Sequence, residues 1–143
     1  MPELRPYHGF ISHAWKYGEE YERLVSLLRE APNFLFVNWS APEDKPLIPF
    51  GMWVPNSTVL EAIRRKMQMA QVVLVIAGMY ASHSTWMQAE IDMAHKLGKP
   101  MIGIRPWGNE CLPTQVLVNT REDVGWNTAS IVGAVRNYAL PGS

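Results

Sequence analysis

Residues 72–77 read VVLVIA, the most strand-like run in the chain. β-Branched residues dominate the run, and such residues are favoured on the pleated surface of a sheet. The segment STWMQAE, residues 84–90, follows it and opens a helix. We therefore interpret residues 72–77 as the central strand of an α/β sheet and organise the rest of the chain around it.

The helix that follows this strand places a carboxylate on its apolar face. Trp86, Glu90, Met93, Ala94 and Leu97 share one face by helical spacing, so Glu90 is predicted to point towards the sheet. Burying a carboxylate is costly unless another group pairs with it or uses it. Two interpretations stay open at this point, a structural acid with a hydrogen bond and a catalytic carboxylate beside an aromatic wall.

Strands and helices alternate along the whole chain, which predicts a parallel sheet covered by helices on both faces. Five strands favour the doubly wound order 2-1-3-4-5 in one domain spanning residues 1–143. The strands are predicted at residues 10–12, 34–37, 72–77, 101–104 and 124–126, and helices at 16–30, after 58, from 84 and after 127 or 128.

Ligands of such sheets bind outside the carboxyl ends of the strands, where the strand order reverses. The Ser12-His13 turn and residues 79–90 are predicted to flank that crevice. The proline-containing segment 39–56 is a long loop, and loops of this length are often functional. The six tryptophans all lie at or shortly beyond predicted strand ends, where they could stack on flat rings such as adenine or nicotinamide. For Trp107 and Trp126 we favour the alternative, that they are core residues packed under loops.

Composition excludes several classes of partner. Thirteen basic and thirteen acidic residues cancel, so no basic surface for nucleic acid is predicted. No apolar run approaches the length needed to span a bilayer, and the first residues lack the apolar core of a signal peptide. The single cysteine, Cys111, indicates a reducing compartment, and we expect a cytoplasmic location.

The motifs of several common chemistries are missing from the sequence. It contains neither GxGxxG nor GxxxxGK[ST], the phosphate-binding loops. His13 and His83 lack the spacing of metal ligands, so no metal site is predicted. Cys111 has no histidine base at a recognisable spacing, and Asp92 faces away from Glu90, which argues against a thiol nucleophile and a glycosidase pair.

A single carboxylate beside aromatic residues suits cleavage of the nicotinamide–ribose bond of NAD. The nicotinamide of NAD is already a cationic leaving group, so no general acid is needed. The remaining task is to orient the ribose and to stabilise an oxocarbenium-like centre, which one glutamate can do.

The sequence resembles the NAD-cleaving TIR domains. Residues 86–90, WMQAE, match their WxxxE motif, and residues 10–13, FISH, resemble the strand-one signature of that fold. The loop after residue 40 takes the place of the BB loop of TIR domains. Residues 38–42, 78–80 and 124–127 are most similar to the TIR-like proteins of bacterial Thoeris antiphage systems.

This resemblance implies a flavodoxin-like TIR fold, with Glu90 as the catalytic glutamate and Trp86 lining the nicotinamide–ribose pocket. NAD is then the substrate, no cofactor is required, and the product is a cyclised or conjugated ADP-ribose signal that activates a separate effector protein. Self-association between TIR domains is a further implied partnership. The substrate contacts implied with Trp86 are Ser12, His13, Asn38, Trp39, Ser40 and Ser84.

Two other functions remain open from the sequence. A non-catalytic TIR scaffold would act by assembly through the long loop and would have little reason to keep Glu90 facing inward. An enzyme resembling nucleoside deoxyribosyltransferases would act on base–sugar bonds without NAD, and a panel of substrates distinguishes it.

Overall fold

A computed structural model describes residues 5–12, 18–40, 57–76, 85–105 and 120–141, with the backbone alone at residues 18, 57–59, 85 and 86. The strands are β1 (Pro6–Ser12), β2 (Leu35–Asn38), β3 (Val72–Ile76), β4 (Met101–Arg105) and β5 (Glu122–Gly125). The helices are α1 (Gly18–Glu30), α2 (Ser57–Gln68), α3 (Thr85–Lys96) and α4 (Thr128–Tyr138).

The five strands form one parallel sheet in the order β2-β1-β3-β4-β5, which confirms the predicted topology. α1 packs with α4 and β2, whereas α2 packs with α3 and β1. The helices therefore cover both faces of the sheet, as the alternation of strands and helices predicts. Parallel strands end at the same edge, so Ser12 at the end of β1 lies beside Val75 of β3.

The core is centred on β3, whose five residues are all fully buried. Its position in the middle of the sheet explains why its sequence is apolar without alternation, since helices cover both of its faces. The sequence marks the end of α3 with Gly98 and Pro100, since a glycine just after a helix and a proline beyond it are the usual termination signals. Gly98 adopts a φ of 70°, and the Lys99 N–H reaches the Ala94 carbonyl at 2.9 Å, which is the hydrogen bond of a Schellman motif.

β2 differs from its prediction. The apolar run at residues 34–37 predicts a strand buried on both faces, but β2 is an edge strand with the Leu35 side chain 45% exposed. Phe34, the first residue of the run, is buried but precedes the start of β2 in the sequence. A run of apolar residues predicts that side chains are buried. It does not predict whether the strand pairs with one neighbouring strand or with two.

The buried face of α3 is broader than the one that the sequence predicts. Glu90 and Ala94 are buried as expected, but Met87 and Ile91 complete the fully buried arc, and Met93 and Leu97 are only partly buried. By helical geometry the fully buried arc runs from Glu90 to Ile91, so Glu90 lies at its edge, next to the partly buried Leu97.

Candidate functional site at the carboxyl end of the sheet

The centre of the candidate site is a hydrogen bond between β1 and α3. The Ser12 hydroxyl donates to Oε1 of Glu90 at 2.7 Å. The Ser12 and Glu90 side chains are 0% and 1% exposed, and they are the only buried polar or charged residues in the described part of the chain. A distance of 2.7 Å is the usual one for an O–H···O hydrogen bond.

Local sequence places both members of this pair. Ser12 is the last residue of β1, and its register with Val75 brings it to the carboxyl edge at the junction of β1 and β3. Glu90 is one turn into α3, between the buried residues Met87 and Ala94, so the helix cannot bury its apolar face without burying the carboxylate. The fold thus holds a carboxylate at the point where ligands of such sheets bind.

A second polar cluster connects α1 to the end of β2. Asn38 donates from Nδ2 to the Tyr21 hydroxyl at 2.8 Å, and the Tyr21 hydroxyl lies 3.1 Å from Oγ of Ser40. Oδ1 of Asn38 accepts hydrogen bonds from both the backbone N–H and the hydroxyl of Ser40. These contacts fix the orientation of the Asn38 carboxamide.

Trp39 lies between these two residues in sequence but makes different contacts. Its indole Nε1–H donates to Nδ1 of His8 at 2.9 Å, and the two rings stack with centroids 6.1 Å apart. Its backbone N–H donates to the Gly9 carbonyl at 2.9 Å. Trp39, a predicted substrate contact, is therefore held against β1 by both its side chain and its backbone.

The predicted site residues fall into separate groups. Ser12 joins Glu90 on the face that α3 covers, whereas Asn38 and Ser40 meet Tyr21 on the face that α1 covers. His8 and Ser12 share a face of β1 by strand alternation, so Trp39 lies on the same face as Glu90. Ser12 and Glu90 are the predicted site residues that the structure brings into contact across different elements.

The remaining predicted site residues lie wholly or partly outside the part of the chain that the structure describes. His13 and Ser84 lie outside the described residues, as do residues 41–56 of the long loop. Trp86 lies in the first turn of α3, four residues before Glu90, and its side chain is not among those described.

Sequence analysis missed Tyr21 and His8. The amphipathic pattern of α1 places Tyr21 on the apolar face, where it is 4% exposed. A buried tyrosine hydroxyl usually finds a hydrogen-bond partner, so the Tyr21 ring on a buried face was a usable signal for a polar cluster nearby. No comparable signal marks His8, because its contact depends on the strand register.

Charged groups elsewhere are ordinary surface pairs. Glu61 is bound by Arg64 at 2.7 Å, and this hydrogen bond lowers the pKa of the Glu61 carboxyl. Across residues 5–12, 18–40, 57–76, 85–105 and 120–141, no group of three metal-binding side chains comes together. Within the same ranges no helix has the length and apolar character needed to cross a bilayer.

Fold and site together define a class of protein. A five-stranded parallel sheet in the order 2-1-3-4-5 with helices on both faces is a flavodoxin-like domain, and here it holds a buried glutamate beside the carboxyl end of β1. The family model described as "Thoeris protein ThsB, TIR-like domain" matches residues 10–111, a span that includes both Ser12 and Glu90. The chain belongs to this family of Thoeris TIR-like proteins, which confirms the resemblance seen in the sequence.

Solved structures support the fold at low sequence identity. A conserved protein from Enterococcus faecalis V583 is 9% identical, with a TM-score of 0.57 over 93% of this chain and 99% of that one. A CheY-like protein, TadZ, from Pseudomonas aeruginosa PAO1 is 14% identical, with a TM-score of 0.53 over 92% of this chain and 99% of its own. Among curated proteins no match is found.

Proposed function

We propose that this Thoeris TIR-like protein cleaves the nicotinamide–ribose bond of NAD and releases an ADP-ribose-derived signal, cyclic or conjugated, that activates a separate effector. The observation that carries the proposal is the buried Ser12–Glu90 pair at the carboxyl end of β1. Membership of the Thoeris family supports a role in antiphage defence, and cleavage of NAD is the chemistry that the pair fits.

The bond changes in this reaction are simple. The C–N bond to the anomeric carbon breaks, and its electron pair leaves with nicotinamide, which departs as a neutral molecule and needs no proton. The ribose carbon becomes oxocarbenium-like. Attack on it by a ring nitrogen of the same molecule gives the cyclic product, and attack by a nucleophilic atom of an acceptor gives the conjugate, with any proton on the attacking atom lost to solvent. Capture by water, which loses a proton, gives linear ADP-ribose instead. A carboxylate beside this carbon stabilises the positive charge as it develops.

Ser12 has a positioning role in this mechanism. Its hydroxyl occupies one acceptor position on Oε1 of Glu90 and fixes the direction of the carboxylate. A fixed charge in a water-excluded site stabilises a transition state more than a mobile one, since no reorganisation is needed during the reaction. The cost of burying the carboxylate is partly offset by the same hydrogen bond.

The experiment compares wild type with Glu90→Gln, which keeps the shape and removes the charge. Nicotinamide release from NAD is measured under an activating condition, and the products are identified by mass spectrometry. We expect turnover to fall about a hundred- to a thousand-fold, as for other single electrostatic stabilisers. NAD binding should survive better than turnover, because the charge matters most in the transition state.

Asp92→Asn is the matched control for this substitution. Asp92 lies on the exposed side of the same helix, where it accepts from the Gln88 carboxamide at 2.8 Å, and the variant loses the same single charge. Its turnover should equal that of wild type, with the fold of all three proteins checked by circular dichroism. Equal nicotinamide release from Glu90→Gln and wild type would remove Glu90 from the mechanism and favour a scaffold that acts by TIR–TIR association.

A further inference from the structure

A cavity lies at the opposite edge of the sheet from the Ser12–Glu90 pair. It has a volume of about 620 Å³ and lies where β1, β3 and β4 begin. We call it the amino-edge pocket and define it by its polar lining, Arg5, His8, Gln68, Gln71 and Lys99.

Two cations line this pocket from different segments of the chain. Arg5, just before β1, donates one N–H to the Leu140 carbonyl, and Lys99, just before β4, donates from Nζ to the Gln68 carbonyl at 3.2 Å. A guanidinium has five N–H donors and an ammonium has three, so both groups keep further donors for a ligand. The carbonyl contacts hold the two cations in place at the pocket wall.

Two neutral side chains add donors to the same pocket. Nδ1 of His8 accepts from the Trp39 indole, so in the neutral imidazole the proton is on Nε2. Oε1 of Gln71 accepts from the His8 backbone N–H at 3.1 Å, which leaves the NH₂ of its carboxamide as a donor. The acceptor atoms of both residues are thus occupied by the protein itself.

No acidic residue lines the pocket within the part of the chain that the structure describes. The ion pairs in that part join Arg64 and Arg65 to Glu61 and Arg105 to Asp123, so Arg5 and Lys99 take part in none of them. Partial burial lowers the pKa of Lys99, because desolvation disfavours its ammonium form. An anion in the pocket would reverse this effect.

We propose that the amino-edge pocket binds a phosphate group, either as the free ion or as a phosphomonoester of a small molecule. A guanidinium and an ammonium on different segments suit a tetrahedral anion, since arginine donates in a fork and lysine acts as a point charge. The volume exceeds what one phosphate fills and leaves room for an organic group against Pro6 and Met69.

The pocket is connected to the other edge of the sheet through His8. This residue lines the pocket and accepts the hydrogen bond that anchors Trp39, which lies between Asn38 and Ser40. A ligand that accepts from Nε2 of His8 alters the electron density of the same imidazole. The environment of the Trp39 indole therefore provides a spectroscopic readout of occupancy that is independent of NAD cleavage.

The test titrates the protein with inorganic phosphate and, separately, with glycerol 3-phosphate, at constant ionic strength. Binding is measured by calorimetry and by ¹H–¹⁵N chemical shifts, including the Trp39 indole signal assigned with Trp39→Phe. We expect saturable binding with shifts at His8, Gln71 and Lys99. Lys99→Gln and Arg5→Gln should each weaken binding about tenfold or more, since each removes a charge-assisted hydrogen bond. Tighter binding of the ester would identify a phosphorylated small molecule as the ligand.

Lys96→Gln is the charge-matched control, because Lys96 is exposed in the last turn of α3 and does not line the pocket. Its affinity for phosphate should equal that of wild type, and Lys99→Arg should retain most of the binding. Absence of saturable binding by wild type overturns the proposal, as does equal weakening by Lys96→Gln and Lys99→Gln. Circular dichroism of each variant separates loss of binding from loss of fold.

Discussion

At the scale of single residues, the Ser12 hydroxyl and the Glu90 carboxylate depend on each other. Ser12→Ala removes the donor to Oε1 of Glu90 from a site with no exposure to water. We expect a loss of about 1–3 kcal/mol in the free energy of unfolding, the usual cost of removing one hydrogen bond from a buried polar group. Urea denaturation measures this, with Ser26→Ala on the exposed side of α1 as a control of near-zero effect.

A double variant tests whether the Ser12 hydroxyl positions the Glu90 carboxylate. Ser12→Ala combined with Glu90→Gln should be less destabilised than the sum of the two single variants, because the two groups share one hydrogen bond. Strict additivity would show that the hydroxyl contributes nothing to holding the carboxylate. That result would contradict the positioning role of Ser12.

The Phe36 ring packs directly over Gly9 in β1 and leaves no space for a side chain at that position. A Cβ at this position would collide with Cζ of Phe36, whose ring stacks on Phe34 with centroids 6.2 Å apart. Gly9→Ala must displace that ring, and we expect destabilisation of about 1–3 kcal/mol, as for other overpacked sites. Gly133→Ala in α4 meets nothing within 4 Å and should instead stabilise by about 0.5–1 kcal/mol through helix propensity. Thermal melts of the two variants should move in opposite directions.

Residues of this kind mark the limit of sequence reasoning. Helical spacing was enough to predict that Glu90 faces the sheet, because a helix fixes which residues share a face. The donor could not be derived in the same way, since Ser12 reaches Glu90 through the pairing of β1 with β3. The contact between His8 and Trp39 likewise depends on strand register, which the sequence does not specify residue by residue.

At the scale of elements, α4 has the best-defined start. The sequence leaves Asn127 and Thr128 as alternative caps, and the structure selects Asn127, whose side chain accepts from the Ser130 N–H at 3.0 Å. Asn127→Ala should cost about 1 kcal/mol, because one N–H of the first turn loses its partner. Asn127→Ser, which can cap equally well, should stay near wild type in the same chemical denaturation. Equal losses in the two variants would show that the cap is not the cause.

Elements were predicted well where their ends carry their own signals. Gly98 and the following Pro100 mark the end of α3, and Asn127 marks the start of α4. β1 was predicted too short, at residues 10–12, because Pro6 and His8 do not look like strand residues although both lie within it. Pairing with β2 and β3 on both sides supplies the hydrogen bonds that local propensity does not predict.

At the scale of the whole molecule, the balance of charge sets colloidal behaviour. Thirteen basic and thirteen acidic residues cancel, and the sequence pI is about 6.9. Repulsion between molecules is therefore weakest near neutral pH, and we expect solubility to pass through a minimum there and to rise on either side. Light scattering against pH at low salt measures this, and a monotonic profile from pH 5 to pH 9 would contradict it.

The order of strands was the most predictable feature of the whole molecule. Alternating strands and helices with right-handed crossovers leave few arrangements, and 2-1-3-4-5 is one of the common ones. The predicted substrate residues lie on two different faces of the sheet, and the order of strands and helices along the sequence does not predict this. That division follows from side-chain alternation that continues past the end of β2 and places Trp39 on one side and Asn38 with Ser40 on the other.

The strand order also determines when the Ser12–Glu90 pair can exist during synthesis. The two residues are 78 positions apart, so the hydroxyl leaves the ribosome long before the carboxylate does. The hydrogen bond of Ser12, the last residue of β1, can therefore form only after β3 and α3 have been synthesised. A nascent or truncated chain that ends before α3 carries Ser12 without Glu90, and the proposed activity therefore cannot precede completion of the fold around α3.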